Sequence, residues 1–344
     1  MHATLQILDR HRDTLNNHKI HWFDSPEQSD LIKPHDQQYN LNWSSNNQLS
    51  IDDLSITTAE LNILFFPKSK ERLDWWLAKI SSQLAENQQL WVVGENNSGI
   101  KSIEKRIGRY FDSFKIDSAR HCALVELRLK QPLEQSSSDW QSYEVKLEAI
   151  NEQTNKEADE TATDAQSANK IYSLPGVFSA AKLDKGSDLL IQHLPKLRGK
   201  VLEFGCGAGV LSLAIARQPS VSGLVVTDID ALAIHSTQKT LTANALQDKA
   251  TLHWSDGLHN LPQQQFDAIV TNPPFHQGIK TAYAASEHFF SQAHLWLKPG
   301  GQLIWVVNDF LRYEPCLDAQ FDTTVELTRQ RGFKVLSATK KAKR

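Results

Sequence analysis

The segment Val201–Gln218, VLEFGCGAGVLSLAIARQ, sets Gly205, Gly207 and Gly209 between an apolar run and a helical pattern. Without Cβ atoms the chain can turn tightly there and bring backbone N–H groups and a helix N-terminus against a ligand. The spacing is G-x-G-x-G, and position 210 is Val, so the third glycine of a dinucleotide fingerprint is missing. Nineteen residues after Gly209 the next apolar run ends at Asp228, where a carboxylate can accept both hydroxyls of a ribose. Glu203 ends the first run. A glycine turn with these two carboxylates suits a nucleoside carrying a cationic amino-acid tail, and S-adenosyl-L-methionine is such a molecule. Asp256, after a third short run, is placed to take the adenine amino group, or else to serve as a turn residue.

A second constellation, Asn272-Pro273-Pro274-Phe275, closes the apolar run FDAIVT. An exocyclic amine is a poor nucleophile because its lone pair is delocalised. Two acceptors on its two protons turn the lone pair toward an electrophile, and the Asn272 side-chain oxygen and the Pro273 carbonyl are such acceptors. The prolines restrict the backbone and so aim that carbonyl. Phe275 can stack on a base, a contact worth about 1–3 kcal/mol. Methylation from a sulfonium needs positioning more than a strong base, so His276 reads as a loop histidine. Cys122, Cys206 and Cys316 form no CxxC pair, which signals neither a disulfide framework nor a metal site and fits a reducing cytoplasm.

These residues need a scaffold that brings strand ends together. From position 171 onward short apolar strands alternate with helical stretches, the pattern of a doubly wound α/β sheet whose strand ends line a ligand crevice. The expected strands include Lys200–Phe204, Gly223–Asp228, Phe266–Thr271 and Gly301–Val307. The N-terminal part repeats this grammar: NILFF, a proline, a helix, then QLWVV, which resembles GQLIWVV at 301–307. Phe65-Phe66-Pro67-Lys68 stands there in place of Asn272-Pro273-Pro274-Phe275, and no glycine-rich turn follows its early strands. The reading is a tandem duplication of two Rossmann-like domains, the first degenerate: 1–133 for packing or substrate capture, a linker at 134–170, and 171–344 for catalysis. A short strand around Trp140–Val145 crosses the linker, and the tryptophans at 75, 76, 91, 296 and 305 fall in core patterns.

With 344 residues, 40% hydrophobic and 22% charged, the chain has room for two cores and lies outside the disordered class. The Lys and Arg against Asp and Glu counts are 16 to 17, 3 to 9 and 18 to 14 over the three segments, balances of −1, −6 and +4. Seven basic residues fall in the last sixteen positions, which suits either a polyanionic partner or a solvated tail. The start, MHATLQILDRHRD, lacks the apolar core of a signal peptide, and no run of 18 apolar residues occurs. A soluble cytoplasmic monomer without metal is expected.

The glycine turn, Asp228 and NPPF together resemble class I methyltransferases that act on exocyclic amines. More narrowly, Leu174–Ser179 (LPGVFS), then Leu183-Asp184-Lys185-Gly186-Ser187, then NPPFHQG resemble the ribosomal RNA small subunit methyltransferase C family over about 171–343. The resemblance implies guanine-N2 methylation of 16S rRNA, at the guanine numbered 1207 and on the 30S particle. It implies that Gly205, Gly207, Gly209 and Asp228 hold the methyl donor, that Asn272, Pro273 and Phe275 hold the flipped base and that LPGVFS with Phe178 covers the cleft; Glu203 and Asp256 join the donor site, and Pro274 the substrate side, on the reading of the residues themselves. The same chemistry would serve a 23S rRNA guanine, a DNA adenine or a protein glutamine, and a ribosome-assembly protein on a retired fold is the non-enzymatic alternative.

Overall fold

The computed structural model describes residues 2–26, 29–43, 59–85, 88–133, 139–147, 169–258, 261, 264–273, 279–317, 319–322 and 324–342. They form two compact units, 1–139 and 140–344.

The first unit runs α1 (Ala3–Asp9), α2 (Arg12–Asn16), β1 (Ile20–Phe23), β2 (Gln37–Tyr39), β3 (Leu61–Phe65), α3 (Lys70–Ser81), β4 (Gln89–Glu95), α4 (Ile103–Ile107), β5 (Phe111–Ala119) and β6 (Cys122–Leu129). Its central strands are continuous apolar runs because both faces are covered: every residue of β3 is buried, as are the five interior residues of β4. α3 starts where the Ser69 hydroxyl accepts the Arg72 N–H, with Glu71 in its first turn and Lys79 in its last, as the helix dipole favours. Leu8, Trp22, Ile63, Val93 and Leu124 belong to its core.

The second unit runs β7 (Gln141–Val145), β8 (Asn169–Ser173), α5 (Lys185–Gln192), β9 (Gly199–Phe204), α6 (Val210–Ala216), β10 (Val221–Asp228), α7 (Ala231–Ala243), β11 (Ala250–Trp254), β12 (Phe266–Thr271), α8 (Ile279–Gln292), β13 (Leu297–Asn308), β14 (Val325–Gln330) and β15 (Phe333–Thr339). All seven residues of α6 are buried. Phe290 stands edge-on to Trp305 and stacks on Tyr313, and Phe204 stacks on Phe289 at 4.0 Å. This unit begins at Trp140, before the end of the expected linker, because β7 pairs antiparallel with β8. β8 is in turn stitched to α7, with the N–H groups of Tyr172 and Leu174 donating to the Thr240 and Ser236 hydroxyls.

The duplication is written in the sheets. Strand order is β2-β1-β3-β4-β6-β5 in the first and β11-β10-β9-β12-β13-β15-β14 in the second. Each is parallel except for the two pairings of its last strands, which are antiparallel. β1, β2, β3 and β4 thus correspond to β9, β10, β12 and β13, and a counterpart of β11 is lacking among the described residues. Register extends the match to single residues. Phe23 pairs with Leu64 and Phe204 with Thr271, so Phe65 occupies the place of Asn272. Phe23 also pairs with Tyr39 and Phe204 with Thr227, which sets Asn40 opposite Asp228 in the comparison. In the first unit the crevice after β1 is filled by its own side chains: Asp24 accepts from the Leu41 N–H and the Trp76 indole, and Asn40 accepts from the Ser25 N–H. The first copy has Asp24, Ser25 and Pro26 where the register sets Gly205, Cys206 and Gly207 in the second, so it lacks the glycines of that turn.

Candidate functional site

In the second unit the ends of β9, β10 and β12 converge on one edge of the sheet. The turn after β9 begins with the Gly205 and Cys206 N–H groups donating to the Thr227 carbonyl. Gly207 donates its N–H to Asp228 Oδ2 at 3.0 Å. From α7, the Thr237 hydroxyl donates to the Gly207 carbonyl and the Thr240 hydroxyl to the Ala208 carbonyl. All three glycines have positive φ, and the space around two of them is already taken. A Cβ on Gly207 would stand 3.0 Å from the Phe178 carbonyl, and one on Gly209 would stand 3.0 Å from Thr237 Cα. Glycine is required for conformation and for close approach alike.

The LPGVFS segment lies on this turn, with Phe178 against Gly207 and its ring half exposed. Phe178, Ser187, Gly205, Cys206, Ala208 and Asn272 border one shallow, open cleft. Asn272 follows β12 directly; its Nδ2 donates to Asp184 Oδ2 at 3.1 Å and to Ser187 Oγ at 2.9 Å. Pro273 is buried behind it. Pro274, Phe275 and His276 lie outside the described residues. Asp256 is exposed and follows β11, two strands from β9 on the same edge. The structure therefore brings Phe178, the glycine turn, Asp228 and Asn272 to one edge, with Asp256 further along it. Asp184 and Ser187 carry contacts that the sequence reading had given no role, although Asp-x-Gly-Ser is itself a helix-start pattern.

Glu203 is completely enclosed beneath the turn. The Ser212 hydroxyl donates to one of its oxygens, and the other, Oε1, has no partner among the described residues. Burial pushes its carboxyl up to about 8; the Ser212 bond opposes this and the Asp228 charge adds to it. At neutral pH it is a protonated acid. Because the folded-state value lies above the unfolded one of 4.5, the stability it contributes is complete below that value and is lost as pH rises through about 8. In Glu203→Gln this component vanishes, so melting temperatures taken from pH 5 to pH 8.5 fall less steeply in the variant. The single-group slope removed is at most about 1.4 kcal/mol per pH unit. Equal slopes in both proteins would show that the acid is ionised throughout. Burial likewise raises the Cys206 thiol, keeping it neutral beside the cleft.

The basic C-terminal stretch is a sheet edge made of β14 and β15, and its charges are largely spent within the unit. Lys334 is buried and pairs with Glu314 at 2.9 Å, while Arg329 pairs with Glu326 and Arg331 with Asp188. The Lys340 and Lys341 ammonium groups donate to backbone carbonyls. Lys343 and Arg344 lie outside the described residues. Among the described residues no cluster of three or more metal-ligating side chains occurs, and no helix is long and apolar enough to cross a membrane.

Comparison with known proteins accords with this layout. Residues 168–337 match the family described as methyltransferase small domain, and residues 6–143 match the methyltransferase small domain N-terminal family. Similar proteins include the ribosomal RNA small subunit methyltransferase C of Pasteurella multocida strain Pm70, 40% identical over 83% of this chain and 82% of its own. That of Pseudomonas aeruginosa strain LESB58 is 39% identical over 80% and 78%. Among solved structures, the T. thermophilus 16S rRNA N2 G1207 methyltransferase in complex with AdoMet and guanosine superposes with a TM-score of 0.77 at 25% identity. It covers 96% of this chain and 91% of its own.

Proposed function

The chain belongs to the ribosomal RNA small subunit methyltransferase C family, and from that premise we propose that it transfers the methyl group of S-adenosyl-L-methionine to the exocyclic N2 of a guanine in 16S rRNA. The observation that carries this reading is the meeting, in one cleft, of the glycine turn with an asparagine whose NH2 is already engaged.

The residues present fit the cofactor. The turn leaves space at Gly205, where a Cβ would meet only the Asn272 carbonyl at 3.9 Å, Asp228 stands at the adjoining strand end, and the orphaned Glu203 Oε1 lies beneath. In this reading Gly205, Gly207 and Gly209 shape the turn that faces the cofactor, Asp228 accepts from its ribose, Asp256 from its adenine, and the enclosed Glu203 acts on the cofactor side through the turn it supports. When bound, the cofactor supplies an electrophilic methyl whose leaving group is a neutral thioether.

Asn272 Oδ1 and the Pro273 carbonyl accept from the two N2 protons, drawing the lone pair out of conjugation. Phe275 stacks on the base, with Phe178 and Pro274 closing the substrate side. Held in this way, the N2 lone pair would be aimed at the methyl carbon the bound cofactor supplies, and the amine would give up one N2 proton to solvent as it is methylated. The base must leave its stack to reach this edge, at a cost of a few kcal/mol. The finer reading is guanine 1207 in the assembled 30S particle, acted on by a cytoplasmic monomer.

The test is transfer of labelled methyl to 30S particles, 50S particles and naked 16S rRNA in parallel, with the product identified by mass spectrometry of nucleosides. N2-methylguanosine on 30S is the expected product, mapped to 1207 by primer extension. Label confined to 50S, or absent from every RNA, would overturn the assignment.

A further inference from the structure

Resting on the reading of Asn272 above, we propose that Asp184 and Ser187, at the start of α5, are positioning residues that lock the Asn272 side-chain amide with its oxygen as the atom presented to the target amine. The oxygen and nitrogen of an asparagine amide are nearly the same size, so the shape of a pocket does not choose between its two flipped orientations. Only one is productive: a target amine has two N–H donors, and an NH2 group turned toward it would set donor against donor.

The choice is made on the far side of the amide. Asp184 Oδ2 carries only lone pairs toward Asn272, so it accepts from Nδ2 and repels Oδ1. Ser187, itself buried, supplies a second acceptor at 2.9 Å. Both contacts use Nδ2, and no bond within the described residues engages Oδ1.

The carboxylate that makes this choice is itself held in place. Asp184 Oδ2 accepts from the Gly186 and Ser187 N–H groups, each at 2.9 Å, as the N-cap of α5. The Asp184 N–H donates to Ser179 Oγ in the LPGVFS turn. Gly186 is what admits this packing, since a Cβ there would stand 3.1 Å from Asp184 Oδ2 and 3.2 Å from the Phe333 ring. A cap needs only the bonds to its own helix. The third bond, to a strand end 88 residues away, does nothing for the helix and acts on the amide alone. Asp184 thus ties three segments together, its backbone N–H holding the turn that carries Phe178 and its carboxylate holding the start of α5 and Asn272.

The experiment separates positioning from capping. In the full-length protein, Asp184→Ser, Asp184→Asn, Ser187→Ala and Asn272→Ala are compared for kcat and KM on unmethylated 30S particles, S-adenosyl-L-methionine affinity, and melting temperature. Serine and asparagine both cap helices well, so both Asp184 variants keep the melting temperature and the cofactor affinity. The serine hydroxyl is too short to hold Asn272 while capping, and its kcat falls about 30-fold because the acceptor is misplaced. The asparagine oxygen takes the place of Oδ2 and recovers most of the rate. Ser187→Ala leaves the cap untouched and lowers kcat about fivefold at unchanged KM, as expected for loss of one of two orienting bonds.

Equal rates for the serine and asparagine variants, or rate losses that follow the melting temperature, would overturn the proposal while leaving Asn272 as the acceptor. A wild-type rate in Asn272→Ala would overturn both readings together.

Discussion

Asn272→Ala is expected to lower kcat for methyl transfer to 30S particles by about 10²–10³-fold, the usual loss when one preorganised polar group aimed at developing charge is removed from a water-poor site. The nitrogen of the target amine becomes more positive as the new bond forms, so an acceptor on its proton binds the transition state more tightly than the ground state. The effect therefore falls on kcat rather than on KM. The Asn272 side chain bonds to Asp184 and Ser187, while its carbonyl stands 3.9 Å from where a Cβ on Gly205 would lie. Cofactor affinity in the variant accordingly stays within about threefold, since no side-chain bond to the donor is lost. Rapid-quench kinetics with saturating cofactor, alongside calorimetric titration of the cofactor, measure the two effects separately. A variant that methylates at the wild-type rate would remove Asn272 from the chemistry.

Asp228→Ala produces the complementary pattern, with cofactor affinity falling by about 100-fold or more, because two charge-assisted hydrogen bonds to a ribose are worth about 1.5–3 kcal/mol each. The side chain also shapes the turn, since its two oxygens accept from the Gly207 and Asp230 N–H groups. Asp228→Asn keeps the size and one acceptor but sets its NH2 against the Gly207 or the Asp230 N–H, so it is expected to lose more than about tenfold. The pH dependence has a definite sign. Burial, and after it the neighbouring Asp230 carboxylate, push Asp228 up to about 6. A ribose hydroxyl is best accepted by the ionised form, so affinity in the wild-type protein falls as pH drops through about 6, and in Asp228→Ala that step disappears. Titration calorimetry between pH 5 and pH 8 reads this directly, and a step surviving in Asp228→Ala would place the titrating group elsewhere.

Much of the second unit was legible because its strands are apolar runs punctuated by glycine and proline, and burial on both faces demands such runs. Gly199–Phe204, Val221–Asp228 and Phe266–Thr271 lie within one or two residues of where the pattern set them. The duplication was legible for the same reason, through QLWVV and GQLIWVV. The elements that sequence reading missed lack that signal. β1 and β2 have only four and three residues, and β14 is an exposed, charged edge strand that reads as a tail. The basic residues of this stretch suited either a polyanionic partner or a solvated tail, and Arg329 in β14, Arg331 in the turn after it and Lys334 in β15 are paired within the unit. The sequence gives a charge, and only the fold says where its partner is.

By itself, then, the sequence determined the α/β class, the tandem plan, and the order of glycine turn, Asp228 and NPPF on which the proposed methyl-transfer site rests. Those properties depend on local periodicity and on backbone chemistry at neighbouring positions, which a linear chain carries openly. The tertiary structure decided which residues oppose each other across strands, so that Phe65 holds the place of Asn272 and Asn40 that of Asp228. It also decided that Glu203 lies enclosed beneath the turn and that the NH2 of Asn272 faces Asp184 and Ser187, more than 80 positions earlier. Register, burial and the facing of an amide are relations between distant segments, and they acquire values only when packing brings those segments within hydrogen-bonding distance.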